Sequence, residues 1–200
     1  MQQTRLPTAK RQAEIVAAAL RLARGASAPM ITTSDIAAAI GVTQGALFKH
    51  FPSKEAIWLA AMRWAHQALL EALHDAASRA ATPREALTAM FRAHVDFVTA
   101  HPGVPRIIFH ELQQPGDSAA KREVRAVLQS YRALLLDHLG QAVRQGQART
   151  DLDQEAAATA FVGLIQGLVM QSMLAERPDS AGGQADRVLD LYLRGLEGTT

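Results

Sequence analysis

Apolar residues recur along this chain at spacings of three and four, the period of helices packed by one face, and never settle into the alternation of strands. Ile15, Val16, Ala19, Leu20 and Ala23 form one such stripe, on a helix expected to start with Thr8 as its N-cap and to end at Arg24, before Gly25. After a loop over 25–31, Thr32-x-x-Asp35 has the spacing of a capping box and opens a short second helix. That helix stops after Ile40, where Gly41 can take the left-handed conformation of a sharp turn. Thr43 caps a third short helix reaching His50. Phe51-Pro52-Ser53 then breaks the chain and caps a long fourth helix, from Lys54 to about Ala80, with Ile57, Ala61, Trp64 and Ala68 on one side. A fifth opens at Thr82-Pro83 and carries Leu87, Met90, Phe91, Val95 and Val98. His101 to Pro105 reads as an interruption, followed by a short apolar helix over 106–113 and a turn at Pro115-Gly116-Asp117. A long amphipathic helix over 118–147 comes next, and two more helices, one from Ala156 and one over 185–196, close the chain. The expected fold is all-α, with about nine helices: a three-helix head and a helical body.

Composition agrees, since alanine and leucine are abundant and aromatics make up only 5% of the residues. Cysteine is absent, which excludes disulfides, thiolate zinc sites and cysteine nucleophiles and leaves a reducing compartment acceptable. Met1 to Lys10 is polar and holds a proline, unlike a targeting segment. The most apolar stretch, 156–175, is interrupted by Thr159, Gln166, Gln171 and Ser172 and reads as a buried soluble helix. A cytoplasmic protein with no membrane partner is expected. The net charge of +2 is unevenly spread: residues 1–63 hold eight Lys/Arg against three Asp/Glu, whereas the remainder is net acidic. A basic head on an acidic body suits a nucleic-acid partner. No repeat, low-complexity tract or Gly/Ser linker separates head from body, so the fourth helix is expected to join them rigidly.

The stretch from Thr32 to Lys54 reads helix, glycine turn, helix, with Ile36, Ile40, Val42, Leu47 and Phe51 spaced to hold the two helices together. This is the pattern of a helix-turn-helix, whose second helix places its N-terminal residues against base edges in the major groove. Here that helix starts Thr43-Gln44-Gly45-Ala46. Gln44 can pair bidentately with adenine, Gly45 permits close approach, and Ala46 can touch a thymine methyl. Lys49, His50 and Lys54, with the hydroxyls of Thr32, Thr33, Ser34 and Thr43 and the helix start at Ser53, suit phosphate oxygens.

At these positions the chain resembles the TetR family of bacterial regulators: Thr32-x-x-Asp35-Ile36-Ala37, then Ile40-Gly41-Val42-Thr43-x-Gly45-x-Leu47-Phe48-x-His50-Phe51-x-Ser53-Lys54-Glu55. The match spans about Ala9 to Leu59. It departs from the pattern at Ile40, where alanine is common, at Phe48, where a tyrosine hydroxyl commonly contacts phosphate, and at Ser34, where longer or charged side chains are common. Phe48 can offer DNA only its ring.

The resemblance implies a DNA-binding domain over 1–53 and a ligand-sensing, dimerising domain over 54–200. The last two helices would then pair with their copies in a homodimer. Ala156, Ala160, Gly163, Gly167, Met170 and Leu174 form a stripe suited to that contact, with Val188, Leu191 and Tyr192 on the final helix. A two-fold dimer would bind an operator with inverted half-sites. The resemblance also implies an effector cavity in the body, with Trp64, Phe91, His94, Phe97, Ile107, His110, Phe161, Ile165 and Gln166 as its candidate lining, suited to a hydrophobic or amphipathic small molecule. The expected activity is that of a ligand-released repressor. The alternatives are an effector-free architectural or accessory DNA-binding protein and a metal-responsive regulator.

Seven histidines raise the question of a metal enzyme, but no His-x-x-x-His or His-Glu-x-x-His occurs, and nucleophile-elbow, phosphate-loop and dinucleotide motifs are missing. Neither catalysis nor a cofactor or metal is expected.

Overall fold

The computed structural model describes residues 7–175 and 180–197, the side chains of 180–182 excepted, and all regular structure among them is helical. In chain order the helices are α1 (Thr8–Leu22), α2 (Thr33–Ala39), α3 (Gln44–Phe48), α4 (Lys54–Ser78), α5 (Pro83–Ala100), α6 (Gly103–Gln113), α7 (Ala119–Arg144), α8 (Gln154–Leu174) and α9 (Ser180–Leu196), with a 3-10 turn over Ala28–Met30. The all-α expectation is borne out.

Several boundaries differ from the sequence reading, for local reasons. Pro7, not Thr8, holds the cap position of α1, and Thr8 is already helical. α6 begins at Gly103 instead of Arg106, because Pro105 falls in the first turn, where a missing N–H costs no intrahelical bond. α8 starts earlier than Ala156 because the Asp153 carboxylate caps it, accepting from the Ala156 N–H at 3.0 Å. α9 likewise starts before Ala185, at Ser180.

The chain packs as two compact units, one of residues up to 66 with 101–124, the other of 67–100 with 125 onward. In the first, α1, α2, α3, α6 and the opening turns of α4 enclose Ile15, Leu20, Ile36, Leu47, Ile57 and Ile107, each at most 8% exposed. Gly103 is the tightest point, because a Cβ placed there would lie 2.4 Å from the Leu20 carbonyl oxygen on α1. The stripe expected on α4 is only partly inward. Ile57 and Ala61 are buried together with Met62 and Ala65, whereas Trp64 is 38% exposed, since the step of four from Ala61 lands on Ala65.

In the second unit α5, α8 and α9 pack together, and Phe161 sits fully buried among aromatic rings. Its centroid lies 5.3 Å from Phe91, 5.4 Å from Tyr192 and 6.2 Å from Tyr131, each pair nearly perpendicular. Burial raises both tyrosine hydroxyls above their ordinary range. The Tyr192 hydroxyl donates to the Ala157 carbonyl at 3.1 Å, and His94 Nδ1 lies 3.3 Å from the Tyr131 hydroxyl.

Burial draws the His94 imidazole from its ordinary 6.5 down to about 4. The folded protein therefore keeps this ring neutral where the unfolded chain would bind a proton. The associated stability is complete above pH 6.5 and is lost as the pH falls toward 4. Between about pH 7 and pH 5 the unfolding free energy is expected to drop by about 2 kcal/mol through this group. Urea midpoints at the two pH values would show the drop, and His94→Gln should flatten it. An equally steep drop in that variant would assign the dependence elsewhere, for instance to His138, which burial also lowers.

Candidate nucleic-acid interface

The α2–α3 segment is built by short-range bonds. Thr32 Oγ1 accepts from the Asp35 N–H at 3.1 Å, while the Thr32 N–H and hydroxyl both donate to Asp35 Oδ2, at 2.8 and 2.7 Å. These bonds, with Lys54 nearby, hold the Asp35 carboxyl below its ordinary range. At the other end of α2, Gly41 turns the chain at φ 68°, its N–H donating to the Ala38 carbonyl and that of Val42 to the Ala37 carbonyl. Thr43 Oγ1 then accepts from the Ala46 N–H at 3.2 Å and starts α3. Ile36, Leu47 and Phe51 are buried between the helices, with Ile40 and Val42 half-buried.

What remains outside is the face expected to read bases. Gln44 and Gly45 are exposed, and a Cβ added at Gly45 would meet nothing within 4 Å. Ala46 is half-buried, Lys49 is exposed, and Phe48 shows 43% of its surface, a bare ring on α3. Gln44 is not loose, for its Nε2 donates to Thr33 Oγ1, on α2, at 2.7 Å.

The other residues assigned to phosphates divide. Thr32 spends its hydroxyl proton on Asp35, so that hydroxyl serves the cap. Lys54 Nζ donates to the Pro29 carbonyl at 2.9 Å, which leaves two of its three N–H donors for other partners. Ser34 is exposed, and His50 is half-buried with its Nδ1 enclosed and without a hydrogen-bond partner. At Ser53 the hydroxyl accepts from the Ala56 N–H at 3.2 Å and begins α4. The Glu55 carboxyl is lowered by its own backbone N–H and by Ser53. Sequence reasoning missed Gln12 on α1, whose Nε2 donates to the His50 carbonyl at 3.2 Å and ties α1 to the end of α3.

The candidate cavity residues are scattered in burial. In the first unit Ile107 is buried, His110 half-buried, and Trp64 meets His101 edge-on with centroids 4.9 Å apart. In the second unit Phe91, Phe97, Phe161 and Ile165 are buried, and His94 is half-buried. Gln166 lies on the exposed side of α8, away from the face that buries Phe161 and Ile165. An open hollow of about 570 Å³ in this unit is lined by other residues, Thr82, Arg84, Glu85, Thr88, Gly146, Gln147 and Glu197. Among the described residues no three histidine, aspartate or glutamate side chains converge as metal ligands.

The stripe assigned to a partner helix lies largely in the open. On α8, Ala156, Ala160, Gly163, Met170 and Leu174 are exposed and Gly167 half-buried, with Leu174 at 77%. On α9, Leu191 is 71% exposed and Val188 half-buried. Tyr192 differs from the rest. Its ring packs on Phe161 and its hydroxyl bonds the α8 backbone, so it belongs to the protomer's own core.

A glycine turn between two short capped helices, with polar residues exposed at the start of the second, is the arrangement of a helix-turn-helix. Residues 15–61 match the model of bacterial regulatory proteins, tetR family, and residues 113–186 that of the tetracyclin repressor-like C-terminal domain. The HTH-type transcriptional regulator TtgR of Pseudomonas putida is 30% identical over 200 aligned residues, covering 91% of this chain and 89% of that protein. The regulator PfmR from Thermus thermophilus superposes with a TM-score of 0.74 at 26% identity, over 92% of this chain and 99% of that one. FadR from Bacillus subtilis, solved with stearoyl-CoA, gives 0.79 at 20% identity, over 92% and 99%. The chain belongs to the TetR family of DNA-binding transcriptional regulators, a family of regulators and not of enzymes.

Proposed function

We propose that this protein is a cytoplasmic homodimeric repressor that binds an inverted-repeat operator and leaves it when a hydrophobic or amphipathic small molecule occupies its body. The observation that carries DNA reading is the exposure of Gln44, Gly45 and Lys49 in and just after α3 while Leu47 of the same helix is fully buried. In this proposal residues 1–53 read DNA, and 54–200 sense the effector and dimerise. Dimerisation is supported by α8, which buries Phe161, Ile165 and Leu168 on one side and leaves Met170, Leu174 and small residues uncovered on the other. An apolar effector is supported by two similar folds, FadR with its stearoyl-CoA and a ketosteroid regulator of Mycobacterium tuberculosis.

Selection of bound duplexes from a random pool, with the full-length protein at moderate salt, tests the first part. An enriched inverted repeat is the expected result, and no enrichment by folded protein would refute it. Gln44→Ala should then cost about 1–3 kcal/mol and relax preference at one base pair of each half-site. Uniform weakening on every sequence would take base reading away from Gln44. Titration of long-chain acyl-CoA and of steroids into the protein–operator complex tests release, with indifference to both classes counting against an apolar effector.

A further inference from the structure

We propose that Thr33 is a positioning residue for base recognition: its hydroxyl holds the Gln44 amide so that one oxygen and one N–H are presented together to an adenine edge. The inference rests on the assignment of Gln44 as a base reader made above. Its basis is the 2.7 Å bond from Gln44 Nε2 to Thr33 Oγ1, which spans from α3 back to the start of α2. Neighbouring hydroxyls have local duties. Thr32 is committed to Asp35, and Thr43 and Ser53 accept from backbone N–H groups of the helices they begin.

A primary amide has two N–H donors and one acceptor oxygen. With one N–H given to Thr33, the remaining N–H and Oε1 form a donor–acceptor pair. Adenine offers the complement, N7 as acceptor and the N6 amino group as donor. Guanine offers two acceptors and would set its O6 against Oε1. The bond also restrains a side chain that would otherwise rotate freely in water, and so lowers the ordering cost of binding. Holding the helices together is a poor account of it. It lies on the exposed side, whereas Ile36, Leu47 and Phe51 already join α2 and α3 from within.

The test uses full-length wild type, Thr33→Val, Thr33→Ser and Gln44→Ala, on duplexes carrying the half-site enriched from the random pool and all single-base-pair substitutions of it. Wild type is expected to prefer A·T at one position. Thr33→Val should reduce that preference roughly tenfold, toward the level of Gln44→Ala, with other positions and thermal stability unchanged. Thr33→Ser, which keeps the hydroxyl, should retain the preference. Thr33→Val that keeps the preference, or weakens all duplexes alike as loss of a phosphate contact would, overturns the proposal while leaving Gln44 as a reader. A preference for guanine at that position overturns the amide orientation. A wild-type preference that survives Gln44→Ala, or no preference at all, overturns the inference and the assignment beneath it.

Discussion

Replacing Phe161 by alanine is expected to lower the free energy of unfolding by about 3–5 kcal/mol, the range for removing a fully buried aromatic ring. Phe161 has no solvent exposure, and three perpendicular partners, Phe91, Tyr131 and Tyr192, surround it. Each contributes an edge-to-face contact beyond simple burial. Those partners come from α5, α7 and α9, so no one helix can move inward to fill the void. Two of them are also held by polar bonds, Tyr192 to the Ala157 carbonyl and Tyr131 beside His94. Urea unfolding at fixed protein concentration measures the loss, concentration being held because dimerisation would add to apparent stability. Phe161→Leu, which keeps much of the volume, should cost less than about 2 kcal/mol. Losses below about 1 kcal/mol for the alanine variant would show that the cluster collapses around the gap.

Gly103→Ala is expected to destabilise the first unit by about 2–3 kcal/mol, at the upper end of overpacking costs. The new methyl would lie 2.4 Å from the Leu20 carbonyl oxygen and 3.0 Å from the Ala23 Cβ. A side-chain tip could swing aside, but the Leu20 carbonyl in the last turn of α1 moves only with the helix backbone, so α6 and α1 must move apart. A shifted α1 carries Gln12 with it and loosens the bond to the His50 carbonyl at the end of α3. Operator affinity should therefore fall on all sequences alike, without a change in base preference. A wild-type melting temperature in this variant would show that α6 yields without cost.

The parts of this fold that were legible in the sequence are those decided within a few residues. The capping box at Thr32 and Asp35, the Thr43 cap and the turn at Gly41 depend on neighbours three or four positions away, so reading them needed no knowledge of packing. What was not legible depends on partners distant in sequence. The bond from Gln44 on α3 to Thr33 and that from Lys54 to the Pro29 carbonyl join residues 11 and 25 positions apart, beyond what local spacing can show. Tyr192 fits an interface stripe by spacing, yet the position of Phe161 turns it inward. Helical periodicity also cannot separate a cavity wall from solid core. Phe91, Phe161 and Ile165 satisfy both patterns, and Gln166, the residue after Ile165, faces outward.

The residues that would meet DNA and those that hold the head together are almost disjoint sets. Leu47, Thr43, Ile36 and Phe51 carry the packing and the cap, whereas Gln44 and Gly45 are exposed, and Gly45 has open space around it. Substitutions at exposed positions away from such features usually change stability by less than about 0.5 kcal/mol. A duplicated copy of this gene could thus acquire a new regulatory address through changes at a few positions on α3, without first evolving a more robust scaffold to tolerate them.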